Sequence, residues 1–303
     1  MIALGGNALL ERRDKPDAAI ERHHIEAAAS ALAPLSGEHQ LIICHGNGPQ
    51  VGLLALETEA DPSLSSPYPL DVLGAQTQGM IGYWLAQELR NAGVRQPTVT
   101  LITQTVVATD DPAFGAPTKF IGPSYTHDEA VQLAATHAWT VAPDGAAWRR
   151  VVPSPLPLRI VEEGPIRQLL DAGVVVICGG GGGVPVVEGD DGRLSGIEAV
   201  VDKDLTAMRI AVDMDADRLL LLTDVAAVMR GFGTPTARAI RRLDVNDIDA
   251  LNLPAGSMGP KVQACAQFST ASGHSAAIGA LTDAAAVLAG TAGTMIGRGL
   301  PSI

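Results

Sequence analysis

Five consecutive glycines, Gly179–Gly183, set the tightest constraint on how this 303-residue chain can fold. They follow at once on Val174-Val175-Val176-Ile177-Cys178, a β-branched run without polar alternation that reads as a fully buried strand. Each glycine costs backbone entropy on folding, so a run of five points to bare N–H groups brought close to something no side chain would tolerate. An anion, above all phosphate, is the ligand such a cradle suits. Flexible linkers also use glycine runs, but they do not grow directly out of a buried strand and end in Val184-Pro185-Val186-Val187.

Beyond the glycines, Glu188-Gly189-Asp190-Asp191-Gly192 carries an Asp-Gly hairpin signal, and Ile197–Val201 reads as the return strand. Asp202-Lys203-Asp204-Leu205-Thr206 then opens a helix expected to run to about Met214. Asp202 suits its N-cap. Lys203 does not suit a first turn, where a cation opposes the helix dipole. Of the 21 basic residues only Lys15, Lys119, Lys203 and Lys261 are lysines, the rest being arginine. Lys119, Lys203 and Lys261 sit in Pro117–Pro123, Val201–Asp204 and Gly256–Lys261. A compact point charge on a flexible stem suits reaching a phosphate, which is a different task from that of a planar guanidinium.

The length allows a large core, in one domain or two lobes, and 47% of the residues are hydrophobic. The net charge of -12, with no basic stripe, argues against nucleic acid or an anionic membrane as partner. Cys44, Cys178 and Cys265 are odd in number and far apart, as expected of reduced core residues in a cytoplasmic protein. No signal peptide or membrane-spanning run is expected, and the seven histidines show no metal-ligand spacing.

Ile2-Ala3-Leu4 reads as a very short strand entering the turn Gly5-Gly6-Asn7-Ala8, and Pro16–Ala33 as a helix with Glu21, Arg22 and Glu26 exposed. Leu41–Cys44 is another buried strand, entering His45-Gly46-Asn47-Gly48-Pro49-Gln50, with His45 read as packing. Strand-then-glycine-turn therefore occurs three times, after Leu4, Cys44 and Cys178. Ligands in open α/β sheets bind beyond the carboxyl ends of strands, so these three ends side by side would make one site. Helices are expected over Gln50–Ala60, Asp71–Ala92 and Glu162–Ala172, with strands at Thr98–Ile102 and Arg218–Leu222. A short helix over Asn246–Leu251, a helix from Lys261 to about Ser272, and strands at Ser275–Leu281 and Thr294–Ile296 complete the reading. Seven of the 20 prolines and two of the three tryptophans lie between Pro112 and Pro157, which marks residues 110–160 as a small protruding subdomain inserted into a single 1–303 domain. As a lid it would carry Lys119 to the site on closure. Alternating strands and helices imply a mostly parallel sheet with helices on both faces.

The familiar nucleotide signatures are missing. Gly259-Pro260-Lys261-Val262 lacks the P-loop hydroxyl, the glycine run breaks the Gly-x-Gly-x-x-Gly pattern, and no Gly-x-Ser-x-Gly elbow occurs. Several glycine turns with isolated lysines suit direct phosphoryl transfer, in which positioning and charge neutralisation do most of the catalysis.

Ala3–Ala8, His45–Gly52, Gln78–Tyr83, Pro117–Lys119, Trp148–Pro155, the glycine run with Val184–Val186, Asp202–Asp204 and Gly256–Lys261, taken in order over essentially the whole chain, resemble the carbamate kinases of the amino acid kinase superfamily. The resemblance implies a three-layer αβα sandwich and a cytoplasmic homodimer of arginine metabolism. It also implies reversible phosphoryl transfer between carbamoyl phosphate and ADP, giving ATP and carbamate, with Mg2+. By the same resemblance Lys119 binds the carbamoyl phosphate end. Lys203 and Lys261 flank the transferred group from the nucleotide side, and Asp204 orients them. Gly5, Gly6, Asn7, Gly46, Asn47 and Gly48 hold the carbamate and phosphoryl end, Gly181 and Gly182 add N–H donors, and Thr223, Asp224 and Met258 lie near the nucleotide. No protein metal ligand is implied, and carbamate, already anionic, needs no general base.

Phe120 replaces the family's usual proline, which bears on lid stiffness, and the first strand lacks the usual leading residues, an expected weakness of the sheet edge near Gly5. Two other readings stay open: a kinase of the same fold acting on a larger carboxylate, and a nucleotide- or carbamoyl phosphate-binding protein without turnover. The Lys119 segment argues against the first, and the intact lysines and Asp204 against the second.

Overall fold

A computed structural model describes the chain except residues 7–8, 11–13, 252, 254–257 and 302–303. In order come β1 (Ile2–Leu4), α1 (Ala18–Ser36), β2 (Ile42–His45), α2 (Gly48–Ala60), α3 (Leu70–Asn91), β3 (Thr98–Thr100) and β4 (Gln104–Val106). The proline-dense stretch holds β5 (Lys119–Tyr125), α4 (His127–His137), β6 (Thr140–Asp144) and β7 (Ala147–Val152). The chain continues through β8 (Arg159–Ile160), α5 (Glu163–Asp171), β9 (Val175–Ile177), β10 (Val184–Glu188), β11 (Leu194–Gly196), α6 (Lys203–Asp213) and β12 (Leu219–Thr223). It ends with β13 (Met229–Arg230), β14 (Arg238–Ala239), β15 (Arg242–Asp244), α7 (Met258–Ser272), β16 (Ala276–Ala280), α8 (Ala284–Leu288) and β17 (Thr294–Gly297).

The main sheet has the order β15-β17-β16-β12-β1-β2-β9-β3 and is parallel except between β16 and β17. Its central strands β12, β1, β2 and β9 are buried on both faces, which is why they read as largely apolar runs. Side chains alternate between two cores. Ile2, Leu4, Ile43, Ile177, Leu220 and Leu222 meet α1, α3 and α8 on one side, through residues such as Leu32, Leu85 and Val287. Ala3, Cys44, Val176, Leu219 and Leu221 meet α5, α6 and α7 on the other, through Ile166, Ile210 and Phe268. Helix, sheet and helix therefore form three layers, the sandwich the resemblance implies.

Strands β1, β2 and β9 are neighbours, so the three glycine turns leave the sheet at adjacent carboxyl ends. The expected weak edge near Gly5 is wrong, because β1 lies mid-sheet, paired with β2 and β12. Those flanking ladders compensate for a strand of three residues.

Several boundaries shift. The return strand is β11, not Ile197–Val201: the turn closes at once through Gly189 N–H to Arg193 O (2.9 Å) and Gly192 N–H to Gly189 O (2.9 Å), so pairing with β10 ends by Gly196. Val200 and Val201 are buried outside any ladder. Asn246–Leu251 is two 3-10 turns rather than a helix, and α7 begins at Met258, with Pro260 in its first turn where no N–H is missed. Glu21, read as exposed, is 3% exposed; burial raises its carboxyl, and a hydrogen bond with Gln50 of α2 partly offsets this. Strands β4, β8, β10 and β11 form a second, four-stranded sheet.

Residues 119–152 hold their own antiparallel sheet, β5-β7-β6, with α4 opened by a Thr126/Glu129 capping box. This unit sits on α2. Gly52 and Gly122 make the approach possible: a Cβ on Gly52 would stand 2.0 Å from the Gly122 Cα. Ile121 and Val152 pack with Val51, Ala55, Leu70 and Leu73. At the far end of α2, Glu59 accepts hydrogen bonds from Trp139 Nε1 (3.2 Å) and Arg150 (3.2 Å) and lies 3.1 Å from His137 Nδ1. The Arg150 guanidinium also stacks over Trp139, 4.6 Å from its centroid.

Candidate active site

The loop after Val201 delivers Asp202 as the N-cap of α6, its Oδ1 accepting from the N–H of Asp204 (2.8 Å) and Leu205 (3.4 Å). The cap fixes the first turn, which carries Lys203 and Asp204. Asp204 is the hub: Lys203 Nζ donates to its Oδ1 at 2.5 Å and Lys261 Nζ, from α7, to its Oδ2 at 2.8 Å. Lys119 Nζ, at the start of β5, donates to Asp202 Oδ2 at 2.5 Å. Three lysines far apart in sequence thus gather on two carboxylates two residues apart, leaving one positive charge in excess.

The charges are unevenly shared. Burial opposes the charge on Asp204, but Lys203 and Lys261 outweigh it and hold the carboxyl well below the usual range. Burial likewise opposes charge on Lys203, and Asp204 and Asp202 overcome it, raising its pKa. Lys261 moves the other way: burial and then Lys203 lower it, and Asp204 does not fully compensate. The difference fits the geometry, since Lys203 has the shorter bond to the shared carboxylate.

The glycine turns close around these side chains. A Cβ on Gly46 would lie 3.0 Å from Gly6 and 3.4 Å from the Lys203 Cε, one on Gly5 would lie 3.3 Å from Thr223 Oγ1, and one on Gly48 would lie 3.7 Å from the Phe120 carbonyl. Gly5, Gly6, Gly46, Gly48, Lys203 and Thr223 are thereby joined, with the start of β5 alongside. The glycine run packs against the same turn. Gly181, at φ +64°, leaves room only for Asn47, whose Nδ2 would be 2.1 Å from an added Cβ; Asn47 is itself fixed by donation to Thr77 Oγ1 (2.8 Å). The Gly182 N–H closes on Gly179 O at 3.0 Å. The Gly182 carbonyl accepts from Thr105 and Thr206, which pins the run between β4 and α6. Asn7 lies outside the described residues. Thr223 ends β12 and donates to Asp224 (2.8 Å), and Met258 opens α7 one turn before Lys261.

Among the described residues no general base faces the lysines. His45 is fully buried, its Nδ1–H donating to the Gly46 carbonyl (3.0 Å), and burial lowers it to about 4, with Lys203 adding to the shift against the Gly46 bond. Cys44 donates to Gly179 O (3.0 Å), and burial raises its thiol to about 12. Both are packing groups.

Sequence reasoning found the lysines by their rarity and Asp204 by resemblance. It missed the grip of Asp202 on Lys119, since a cap is recognised locally and its second oxygen is not. It also missed the bracket in which Gln78 accepts from the Thr103 N–H (3.0 Å) while Thr103 Oγ1 accepts from the Gly179 N–H (2.8 Å). Here the signal was present as Gln78-Gly79-Met80, without a partner.

Residues 1–280 match the amino acid kinase family. The carbamate kinase of Rhizobium meliloti (strain 1021) is 49% identical over 100% of this chain and 94% of that one. The carbamate kinase of Escherichia coli (strain K12) is 48% identical over 98% of each. Among solved structures, carbamate kinase from Giardia lamblia bound to AMP-PNP superposes with a TM-score of 0.88 at 39% identity, covering 98% of this chain and 97% of that one.

Proposed function

Because the chain belongs to the amino acid kinase family and stands among its carbamate kinases, we propose that its lysine cluster carries the reversible transfer of a phosphoryl group between carbamoyl phosphate and ADP. A β-phosphate oxygen of ADP attacks phosphorus, the bond from phosphorus to the carbamoyl oxygen breaks, and carbamate leaves with the electron pair. Carbamoyl phosphate dianion and ADP trianion become ATP and carbamate with no proton moved. That balance matches a site whose histidine and cysteine are buried and uncharged.

One observation carries the assignment: Asp204 holding Lys203 and Lys261 as a pair, with Lys119 brought beside them from the inserted sheet. Lys203 and Lys261 would flank the transferred group from the nucleotide side, and Lys119 would meet the carbamoyl phosphate end. Gly5, Gly6, Asn7, Gly46, Asn47 and Gly48, with the N–H of Gly181, would hold the carbamate and phosphoryl end at the start of α2, where a helix N-terminus favours anions. Thr223, Asp224 and Met258 would border the nucleotide. Residues 110–160 would act as the lid.

Nucleotide chemistry implies magnesium. Among the described residues no three His, Cys, Asp or Glu side chains converge, and Asp202 and Asp204 are both taken by lysines. The donor set fits an ion carried in on the nucleotide's phosphates, with water completing its shell. Bound there, magnesium would neutralise phosphate charge as it shifts. A homodimer fits the apolar side chains left exposed at Tyr83, Ile102 and Leu158, and three buried free thiols suit the cytoplasm.

The test is ATP formation from carbamoyl phosphate and ADP with magnesium. Lys203→Ala and Lys261→Ala should each lower turnover by about a hundredfold or more while ADP binding changes little. Equal losses in both would count against a role in the transition state.

A further inference from the structure

The phosphoryl-transfer reading uses Lys119, which stands on β5 of the inserted sheet, while Lys203 and Lys261 stand on helices of the main body. Among the described residues, the ion pair joining β5 to α6 is that of Lys119 with Asp202, at 2.5 Å. Asp202 divides its oxygens. Oδ1 serves the α6 N–H groups, and Oδ2 faces Lys119. We infer that Asp202 is a positioning residue, which holds Lys119 against the start of α6 and so couples the seating of the inserted sheet to completion of the lysine set.

Capping alone does not require a carboxylate, because Asn and Ser cap as well as Asp. A carboxylate here has a cost. Burial and the charge of Asp204 both oppose it, and Lys119 together with Lys203 overcomes them, holding Asp202 below the usual range. The Lys119 side chain keeps 27% of its surface exposed, so its stem has room to wander if the partner is lost. The same carboxylate lies two residues from Asp204, which fixes Lys203 and Lys261. One turn of helix therefore sets the relative places of all three ammonium groups, and Asp202 is the link across the subdomain boundary.

The inference rests on the phosphoryl-transfer reading for its functional meaning, and Asp202→Asn tests it, since that variant keeps the cap and removes the charge. The thermal midpoint should stay within about 2 °C of wild type. The specificity constant for carbamoyl phosphate should fall about tenfold or more, with the KM for ADP within about twofold. Lys119→Met should fall further, and the double variant should be no worse than Lys119→Met alone, as expected for residues acting through one contact. Losses that multiply, or wild-type kinetics in Asp202→Asn, overturn the inference.

A second readout needs no turnover: acylation of Lys119 by an amine-selective reagent, followed by peptide mass spectrometry with exposed Lys15 as internal reference. Asp202→Asn should raise Lys119 labelling by about threefold or more, because the ammonium is no longer held; unchanged labelling overturns the inference. A wild-type enzyme that makes no ATP would sink the functional reading instead, and the labelling result would still decide the role of Asp202.

Discussion

Asp204→Asn is the sharpest perturbation of this site. The carboxylate is 4% exposed and neutralises two ammonium groups whose side chains are themselves largely buried, at 2.5 and 2.8 Å. Removing one partner of a buried ion pair costs about 3–5 kcal/mol, because the other charge remains without its counter-ion. Asparagine still offers one acceptor, so the low end of about 3 kcal/mol applies. For a chain of 303 residues, with an unfolding entropy of about 2.1 cal/mol/K per residue, that loss lowers the thermal midpoint by about 5 °C.

The pH dependence adds a check. Asp204 titrates lower in the folded chain than in the unfolded one, so its contribution is fully present above the ordinary carboxylate value and is lost as pH falls through the folded value. The stability gap between wild type and variant should therefore be flat from about pH 5 to 8 and close only below about pH 4. Urea unfolding at several pH values measures the gap. Turnover should drop by about a hundredfold, with ADP affinity changed by less than about threefold. A midpoint within about 1 °C of wild type, or a gap that closes near neutrality, would refute the hub role.

Other tests reach other parts of the fold. His45, lowered to about 4 by burial, binds fewer protons folded than unfolded, so stability should fall by about 3 kcal/mol as pH drops from about 6.5 to 4; an NMR titration of its ring near 6.5 would contradict the burial argument. Gly181→Ala forces a left-handed residue into Asn47 and should cut turnover by more than about tenfold. Gly93→Ala, also at positive φ but with open space around it, should cost only about 1–2 kcal/mol of strain and leave turnover intact. Glu59→Gln removes the charge that Arg150 and Trp139 share, so amide exchange in α4 and β6 should quicken and the KM for carbamoyl phosphate rise, while the KM for ADP holds. Unchanged exchange would show that Glu59 does not tie the inserted sheet to α2.

Much of this was legible in one dimension. Val174–Cys178, Leu41–Cys44 and Arg218–Leu222 read as buried strands because a parallel sheet covered on both faces permits no polar alternation. Glycine after each of three strands marked where backbone had to approach backbone, and the strand ends are adjacent as that reading required. Lysine scarcity singled out Lys119, Lys203 and Lys261, because arginine had taken the general work of surface charge. Local pattern failed where the decisive partner was remote. The return strand was placed late because hairpin closure depends on hydrogen bonds between residues 189 and 193. Glu21 was read as exposed because helical periodicity does not show Gln50 of another helix beside it.

The sequence by itself determined which groups exist and which backbone is bare: three isolated lysines, two aspartates around Lys203, and glycines wherever a Cβ would collide. Those are properties of single residues and their immediate neighbours. Only the tertiary structure decided that Asp204 serves two lysines 58 residues apart, that Asp202 turns its spare oxygen to Lys119 across 83 residues, and that the Gly182 N–H is spent within its own turn. Charge pairing acts through a few ångströms of space, and chain separation leaves no trace of that distance until the sheet has brought its strand ends together.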